Sequence, residues 1–417
     1  MITLIEALHF RCLRDVHRPL NSLQVLVGPN ATGKTTFLDV ITFLAQLVSQ
    51  GLETAISERT QNFENLVFGR SGKRFELAIE AEVPKNLREK QVNNERGIIR
   101  YEVSVGVPGK SVEAAILAEK VLLKTTPNCS RNGQRRLEFP SPPSPRNSIM
   151  SPKAAKGTKV IVNKVAGGND NFYDERGKGW AHAFKLGPSK SALGNLPEDE
   201  SKFPASTWLK RLLLEGVQQL VLNSLLIRKA SPPGQTRKFK PDGSNLPWVI
   251  KTLQKKSPDR FHDWIAHLQT ALPDITTIRT IERQDDKHRY LVIRYRGGLE
   301  IPSWVASDGT LRLLALTLPA YLPDFRGVYL VEEPENGIHP TAVQTMFQSL
   351  SSVYNAQMLL ATHSPVILSL ADPESVLCFA KSTDGATDIV SGSEHPALKE
   401  WKGETSLGVL FAAGVLG

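Results

Sequence analysis

The chain is poor in cysteine: Cys12, Cys129 and Cys378 are three widely separated thiols in 417 residues. Their odd number and wide spacing exclude a disulfide framework and offer no zinc-type pairing, so a reducing, cytoplasmic setting is the expectation. Long apolar runs are also missing. No stretch reaches the ~18–20 residues that a membrane helix requires. The N-terminus has no basic-then-apolar leader, and no membrane is expected among the partners. The closing run 407–416 is too short to span and reads as a segment docked on the core or on a partner. No internal repeat and no sustained heptad run is present, which excludes a solenoid and a long coiled coil.

Acids are scarce in one region. Between residues 121 and 169 the single Glu138 faces nine basic residues, nearly the whole of the +9 net charge. These are Lys124, Arg131, Arg135, Arg136, Arg146, Lys153, Lys156, Lys159 and Lys164. A second basic cluster runs through Arg228, Lys229, Arg237, Lys238 and Lys240. Both suit nucleic acid, because each neutralised phosphate releases counterions. A solvated loop explains the first equally well, since it has no interleaved aromatics.

What is present is a phosphate loop. Residues 28–36 read Gly-Pro-Asn-Ala-Thr-Gly-Lys-Thr-Thr, after the apolar run 23–27 and before a helix-patterned segment from Phe37. Strand, glycine loop and helix form the context in which this spacing cradles a nucleoside triphosphate. Backbone N–H groups of Asn30, Ala31, Thr32, Gly33 and Thr36 are expected to face phosphate, favoured by the helix dipole. Lys34 is expected at the β- and γ-phosphates and the Thr35 hydroxyl on Mg²⁺.

Composition elsewhere is that of a globular α/β protein, with 41% hydrophobic and 22% charged residues. Period-two segments at 75–81, 100–105 and near 112–124 predict an antiparallel sheet beside the phosphate-loop lobe. Residues 126–204 are dense in Pro, Gly, Ser and Lys and predict a loop, with one strand near 159–162. Helices are expected from Trp208, over 246–256 and over 259–272. Alternating helices and strands from 310 to 380 argue for a parallel sheet closed by strand 376–380. Four regions follow: 1–124, a lobe with the phosphate loop and antiparallel sheet; 125–205, a basic insertion; 206–272, helical; and 273–417, a second lobe.

Four distant segments complete one site. The apolar run 328–331 ends in Glu332-Glu333-Pro334-Glu335, placing carboxylates at a strand's C-terminal edge. One is expected to hold the Mg²⁺ shell and the next to orient or deprotonate water. The run ending Ala361-Thr362-His363 sets an imidazole near the γ-phosphate. Ser307, Asp308 and Gly309 precede a helix and form an anion-binding surface or an ordinary cap. Arg11, after the first strand, can lie beside the nucleotide.

The order of these pieces resembles the ABC-type ATPases of the RecF, OLD and SMC-head class, particularly their short stand-alone bacterial members. The resemblance covers about residues 1–80 and 300–417, with 241–247 also typical. It implies the ABC-ATPase head fold, a P-loop core sheet with an antiparallel β subdomain. It implies Lys34 and Thr35 as the Walker A pair, Glu333 as catalytic glutamate and His363 as switch histidine. It also implies 307–309 as a signature acting in trans, so that ATP is sandwiched in a homodimer or higher oligomer. Glu332 stands where the family usually has Asp. The family's metal-sensing glutamine has only Gln61 as a candidate.

The leading functional expectation is an ATP-hydrolysing switch gating a DNA-linked event, as the ATPase of a bacterial defence system with a separate effector. The chain has no room for an obvious nuclease after His363. A RecF-like repair or loading ATPase and a low-turnover ATP-dependent scaffold are the alternatives.

Overall fold

The computed structural model describes residues 1–70, 72–88, 96–109, 113–125, 138–152, 157–177, 179–398 and 406–416. Its centre is a six-stranded sheet in the order Val217–Leu220, Gly327–Glu332, Ala356–Ala361, Leu23–Val27, Val376–Lys381, Thr387–Ser391. All pairings are parallel except the last. The apolar runs at 23–27, 328–331 and 356–361 are covered on both faces, as a parallel sheet requires. Alternation sends Leu26, Leu330 and Leu359 into one core and Val25, Tyr329 and Leu360 into the other.

The first core is built on helix Lys34–Gln50, which lies between the central sheet and a second, eight-stranded antiparallel sheet. Phe37 meets Phe379 of the central sheet at 5.6 Å between ring centroids. Phe43, further along the helix, meets Phe10 and Phe75 of the antiparallel sheet at 5.8 and 5.4 Å. Aromatic pairs of this kind are worth about 0.5–1.5 kcal/mol each beyond area burial. They clamp the helix that carries the phosphate loop. The second core gathers helices Leu246–Lys256, Pro258–Ala271, Asp308–Thr317 and Pro340–Ser351 under a three-stranded sheet, Ile275–Glu282, Arg289–Tyr295 and Glu300–Pro302. The terminal helix Leu407–Ala412 docks on this core through buried Leu407, and Leu416 beyond it is also buried there.

The structure changes several expectations. A strand, Leu13–Pro19, precedes that of the phosphate loop and pairs with Ile2–Phe10. Strand Thr387–Ser391 continues the central sheet beyond 376–381. The stretch expected to be a loop with one strand contains three: Thr158–Val165, Asp170–Tyr173 and Trp180–Phe184. Their period-two pattern is hidden because buried positions carry charge. Lys164 Nζ meets Asp170 at 2.8 Å, both buried.

The expected basic surface is corrected for the same reason. Lys124 pairs with Glu80 at 2.5 Å, and Arg146 pairs with Asp15 and Glu6 at 2.6 and 2.8 Å. Lys159 donates to the carbonyls of Glu175 and Gly177 at 2.9 and 2.6 Å. Arg131, Arg135, Arg136, Lys153 and Lys156 lie outside the described residues.

Segment 138–152 is a strap across the outer face of the eight-stranded sheet. That face carries the buried carboxylates Glu6, Glu76, Glu80 and Glu102, with Arg100 among them. The strap supplies what they lack. Glu76 accepts from the Ser148 hydroxyl and the Ile149 N–H at 2.8 Å each, and Glu102 accepts from the Ser151 N–H at 2.8 Å. Burial pushes the Glu6 carboxyl up, but the hydrogen bond to His17 and the charges of Arg100 and Arg146 outweigh it and hold it well below its usual range.

Candidate active site

The C-terminal edge of the central sheet collects the expected residues, because parallel neighbours end at the same level. Leu26 is in register with Ala361, and Ala361 with Glu332. The loop, the acidic pair and the Thr362-His363 corner are therefore one cluster.

The loop backbone explains its glycines. Gly28 has φ +149°, and a Cβ there would sit 2.2 Å from the Phe379 carbonyl oxygen. Gly33 has φ +103° and packs as closely on Thr387, whose hydroxyl donates to the Thr32 carbonyl at 2.8 Å. Ala31 also has positive φ. Asn30 and Ala31 are exposed, Thr32 is buried, and the Thr32 hydroxyl closes the loop on the Pro29 carbonyl at 2.8 Å. Lys34 Nζ donates to the carbonyls of Gly28 and Pro29 at 2.7 and 2.9 Å, curled over its own loop. Burial lowers its pKa, opposed by Glu333 and Glu332. Thr36, half-buried, follows in the first helical turn.

The Thr35 hydroxyl donates to Glu332 Oε2, and Glu332 Oε1 accepts from Gln219 Nε2 at 3.0 Å. Glutamate, where the resemblance leads one to look for aspartate, thus reaches the hydroxyl. A hydroxyl, a carboxylate and an amide are hard oxygen donors of the kind Mg²⁺ takes, together with substrate phosphates. The residues present therefore fit that ion. Gln61 remains exposed; the glutamine that touches Glu332 is Gln219, on the short edge strand Val217–Leu220. Sequence reading missed it because the strand has four residues, two of them glutamine.

Glu333 has φ +46°, an uncommon conformation for a residue with a side chain. Its N–H donates to the Ala361 carbonyl at 2.8 Å, and its carboxylate accepts from Asn336 Nδ2 at 2.5 Å. The strained turn leaves the side chain exposed at the mouth of the site. Glu335 was not singled out from the sequence as more than the end of an acidic run. Its Oε1 accepts from the Thr362 hydroxyl at 2.7 Å and from the His363 N–H at 2.9 Å, so it fixes the corner that presents the imidazole.

Burial first, and then the Lys34 charge, hold His363 below its ordinary pKa of 6.5, against the pull of Glu333 and Glu335. The ring is neutral at pH 7. A group whose folded pKa is depressed contributes stability above its unfolded pKa, and that contribution is lost as pH falls through the folded value. Between pH 7 and 5.5 the wild-type melting temperature is therefore expected to fall more steeply than that of His363→Asn. Thermal melts of the two proteins across that range check this. Parallel slopes would exclude the effect. His395, lowered by burial, titrates alike in both.

Arg11 is exposed, has φ +52° and reaches Asp39 at 3.3 Å. With Thr35, Asp39, Gln219 and Glu332 it lines a cleft of about 550 Å³ beside the loop helix. Ser307 and Asp308 bond to residues other than those of the phosphate loop. Ser307 caps helix Asp308–Thr317, accepting from the Thr310 N–H at 3.2 Å, and Asp308 pairs with Arg228 at 2.7 Å. A Cβ on Gly309 would come within 2.6 Å of the Gly337 carbonyl oxygen, which ties this segment to the turn after Glu333.

No curated protein matches the chain in sequence. Among solved structures, an SMC head bound to the C-winged helix domain of ScpA is similar at TM-score 0.54 and 14% identity, over 94% of this chain and 97% of that one. An Smc head domain with an extended coiled coil, bound to the C-terminal domain of ScpA derived from Pyrococcus furiosus, gives 0.51 and 12%, over 100% and 98%. These likenesses show the fold, that of an ABC-ATPase head. The family described as "AAA domain, putative AbiEii toxin, Type IV TA system" matches residues 23–369. The chain belongs to that family of AAA-domain ATPases.

Proposed function

We infer that the protein is a cytoplasmic switch in which ATP closes two copies face to face and hydrolysis reopens them. The cycle gates a DNA-linked event carried out by a separate effector, as the ATPase component of a bacterial defence system. The observation that supports the closure is at 307–309: they lie beside Gly337, and the side chains of Ser307 and Asp308 bond to Thr310 and Arg228, not to their own phosphate loop. Next to them Val305, Trp304 and Leu225 expose 63%, 47% and 70% of their surface, an apolar patch suited to a second copy. The family's description names a toxin of a toxin–antitoxin system, which supports the defence reading over repair.

In this reading Thr35 and Glu332, held by Gln219, are the residues that would bind Mg²⁺, which when bound offsets phosphate charge. Lys34 exchanges the Gly28 and Pro29 carbonyls for phosphate oxygens. Glu333 orients and deprotonates the attacking water. Neutral His363, fixed by Glu335, donates a hydrogen bond toward the γ-phosphate. Lys124, Arg146, Lys159 and Lys164 already bond to partners within the chain, which weighs against them as DNA contacts.

Light scattering with ATP and Mg²⁺ tests the closure. Glu333→Gln is expected to form dimers that Ser307→Arg abolishes, since arginine at that position blocks approach of a second loop. A protein that stays monomeric at saturating ATP would remove the sandwich.

A further inference from the structure

Behind the active site lies a second cavity, of about 740 Å³, within the size range of ligand sites. It opens at the N-terminal ends of Gly327–Glu332 and Val217–Leu220, the opposite end of these strands from the phosphate loop. Trp208, Leu212, Val249, Leu253 and Phe325 supply apolar walls. The rim is cationic. Arg237, Lys238, Lys256 and Arg326 are exposed and make no ion pair with any described residue, while Arg211 meets the exposed Glu200. Glu215 and Asp324 are the acids of the lining.

One wall is unusual. Residues Leu212–Gly216 form a single π-helical turn after helix Pro204–Arg211, a rare distortion that is frequent at functional sites. It runs directly into the edge strand that carries Gln218 and Gln219. Strand alternation divides these two: Gln219 lines the nucleotide cleft and holds Glu332, whereas Gln218 lines the rear cavity. Gln218 Oε1 is buried without a hydrogen-bond partner among the described residues.

We propose that this cavity binds an acidic protein segment with an apolar anchor, supplied by a partner, and that its occupation is transmitted through the edge strand to Glu332. Charge complementarity carries the choice of occupant. The free cations stand on three separate elements around an apolar floor, an arrangement for an extended acidic chain. A compact phosphate needs them convergent. Phe325 and Tyr329 are closed to a stacking base, because they stack on each other at 3.8 Å and are buried. The unpartnered Gln218 oxygen is an acceptor for a backbone N–H. Binding stands independently of the ATP-switch reading; its transmission to Glu332 rests on that reading.

The probe is a fluorescein-labelled synthetic peptide with Phe-Leu flanked on both sides by three Asp or Glu residues, followed by fluorescence anisotropy on the full chain. Salt-sensitive binding is expected, weakened at least tenfold in Lys238→Glu/Arg326→Glu and at least tenfold in Thr252→Trp, which fills the floor. A peptide with Ser-Ser in place of Phe-Leu is expected to bind at least tenfold more weakly. Lys34→Ala, which disables the nucleotide site, should leave peptide affinity within twofold. The peptide should change wild-type phosphate release at least threefold and leave that of the double variant unchanged. Equal binding of the Ser-Ser peptide, or no loss in either cavity variant, would overturn the site. So would displacement by ATP or an oligothymidylate that depends on Lys238 and Arg326, which would assign the cavity to nucleotide or nucleic acid. Peptide binding without any wild-type phosphate release would uphold the site and remove the ATP-switch reading alone.

Discussion

Glu333→Gln is expected to lower ATP turnover by about 10²–10⁴-fold, the usual range for losing a general base, while ATP binding persists. The amide is isosteric, so it preserves both the hydrogen bond with Asn336 and the strand-end bond from the Glu333 N–H to Ala361. What it loses is proton affinity. Lys34, Thr35 and Glu332 are untouched. Phosphate release and nucleotide binding measured on the same preparation separate the two. If turnover stays within a few-fold of wild type, the base is another group, and Glu335 or His363 becomes the next to test.

Arg100→Met should cost about 3–5 kcal/mol of folding stability, the range for removing one partner of a buried ionic cluster. Arg100 is 5% exposed and donates to Glu6 at 2.5 Å, Glu102 at 2.6 Å, Glu80 at 3.2 Å and the Ile149 carbonyl at 2.9 Å. Methionine fills a similar volume but leaves those carboxylates buried with too few donors. It also releases the strap at Ile149. Urea denaturation measures the loss, and a change below about 1 kcal/mol would mean that water or Arg146 replaces the guanidinium. The wild type should in turn be acid-sensitive. With its pKa depressed, Glu6 contributes stability above its unfolded value of 4.5, and that contribution disappears as pH falls through the folded value.

The phosphate loop, the acidic strand end and the Thr362-His363 corner were legible in the sequence because each is a short local pattern on an apolar strand. Local pattern also placed helices Leu246–Lys256 and Pro258–Ala271, both with proline in the first turn. The same reasoning fails where a residue's role is defined by a distant partner. Gln219 is one of two adjacent glutamines until strand Val217–Leu220 pairs beside Gly327–Glu332. Glu335 looks like one more acid until its oxygen meets Thr362 and the His363 backbone.

Charge was the least legible property. Nine basic residues with one acid looked like a surface for nucleic acid. Two of its described members, Lys124 and Arg146, are paired with acids up to about 140 residues away, at Glu6, Asp15 and Glu80, while Lys164 meets Asp170 and Lys159 meets backbone carbonyls. By itself the sequence determined the fold class and the nucleotide chemistry, since glycine geometry, apolar periodicity and strand-end acids are encoded within a few residues. Only the tertiary structure decided which charges are free, which glutamine holds Glu332 and that a second cavity backs the first. Those depend on pairings between segments far apart in the sequence, which no local pattern records.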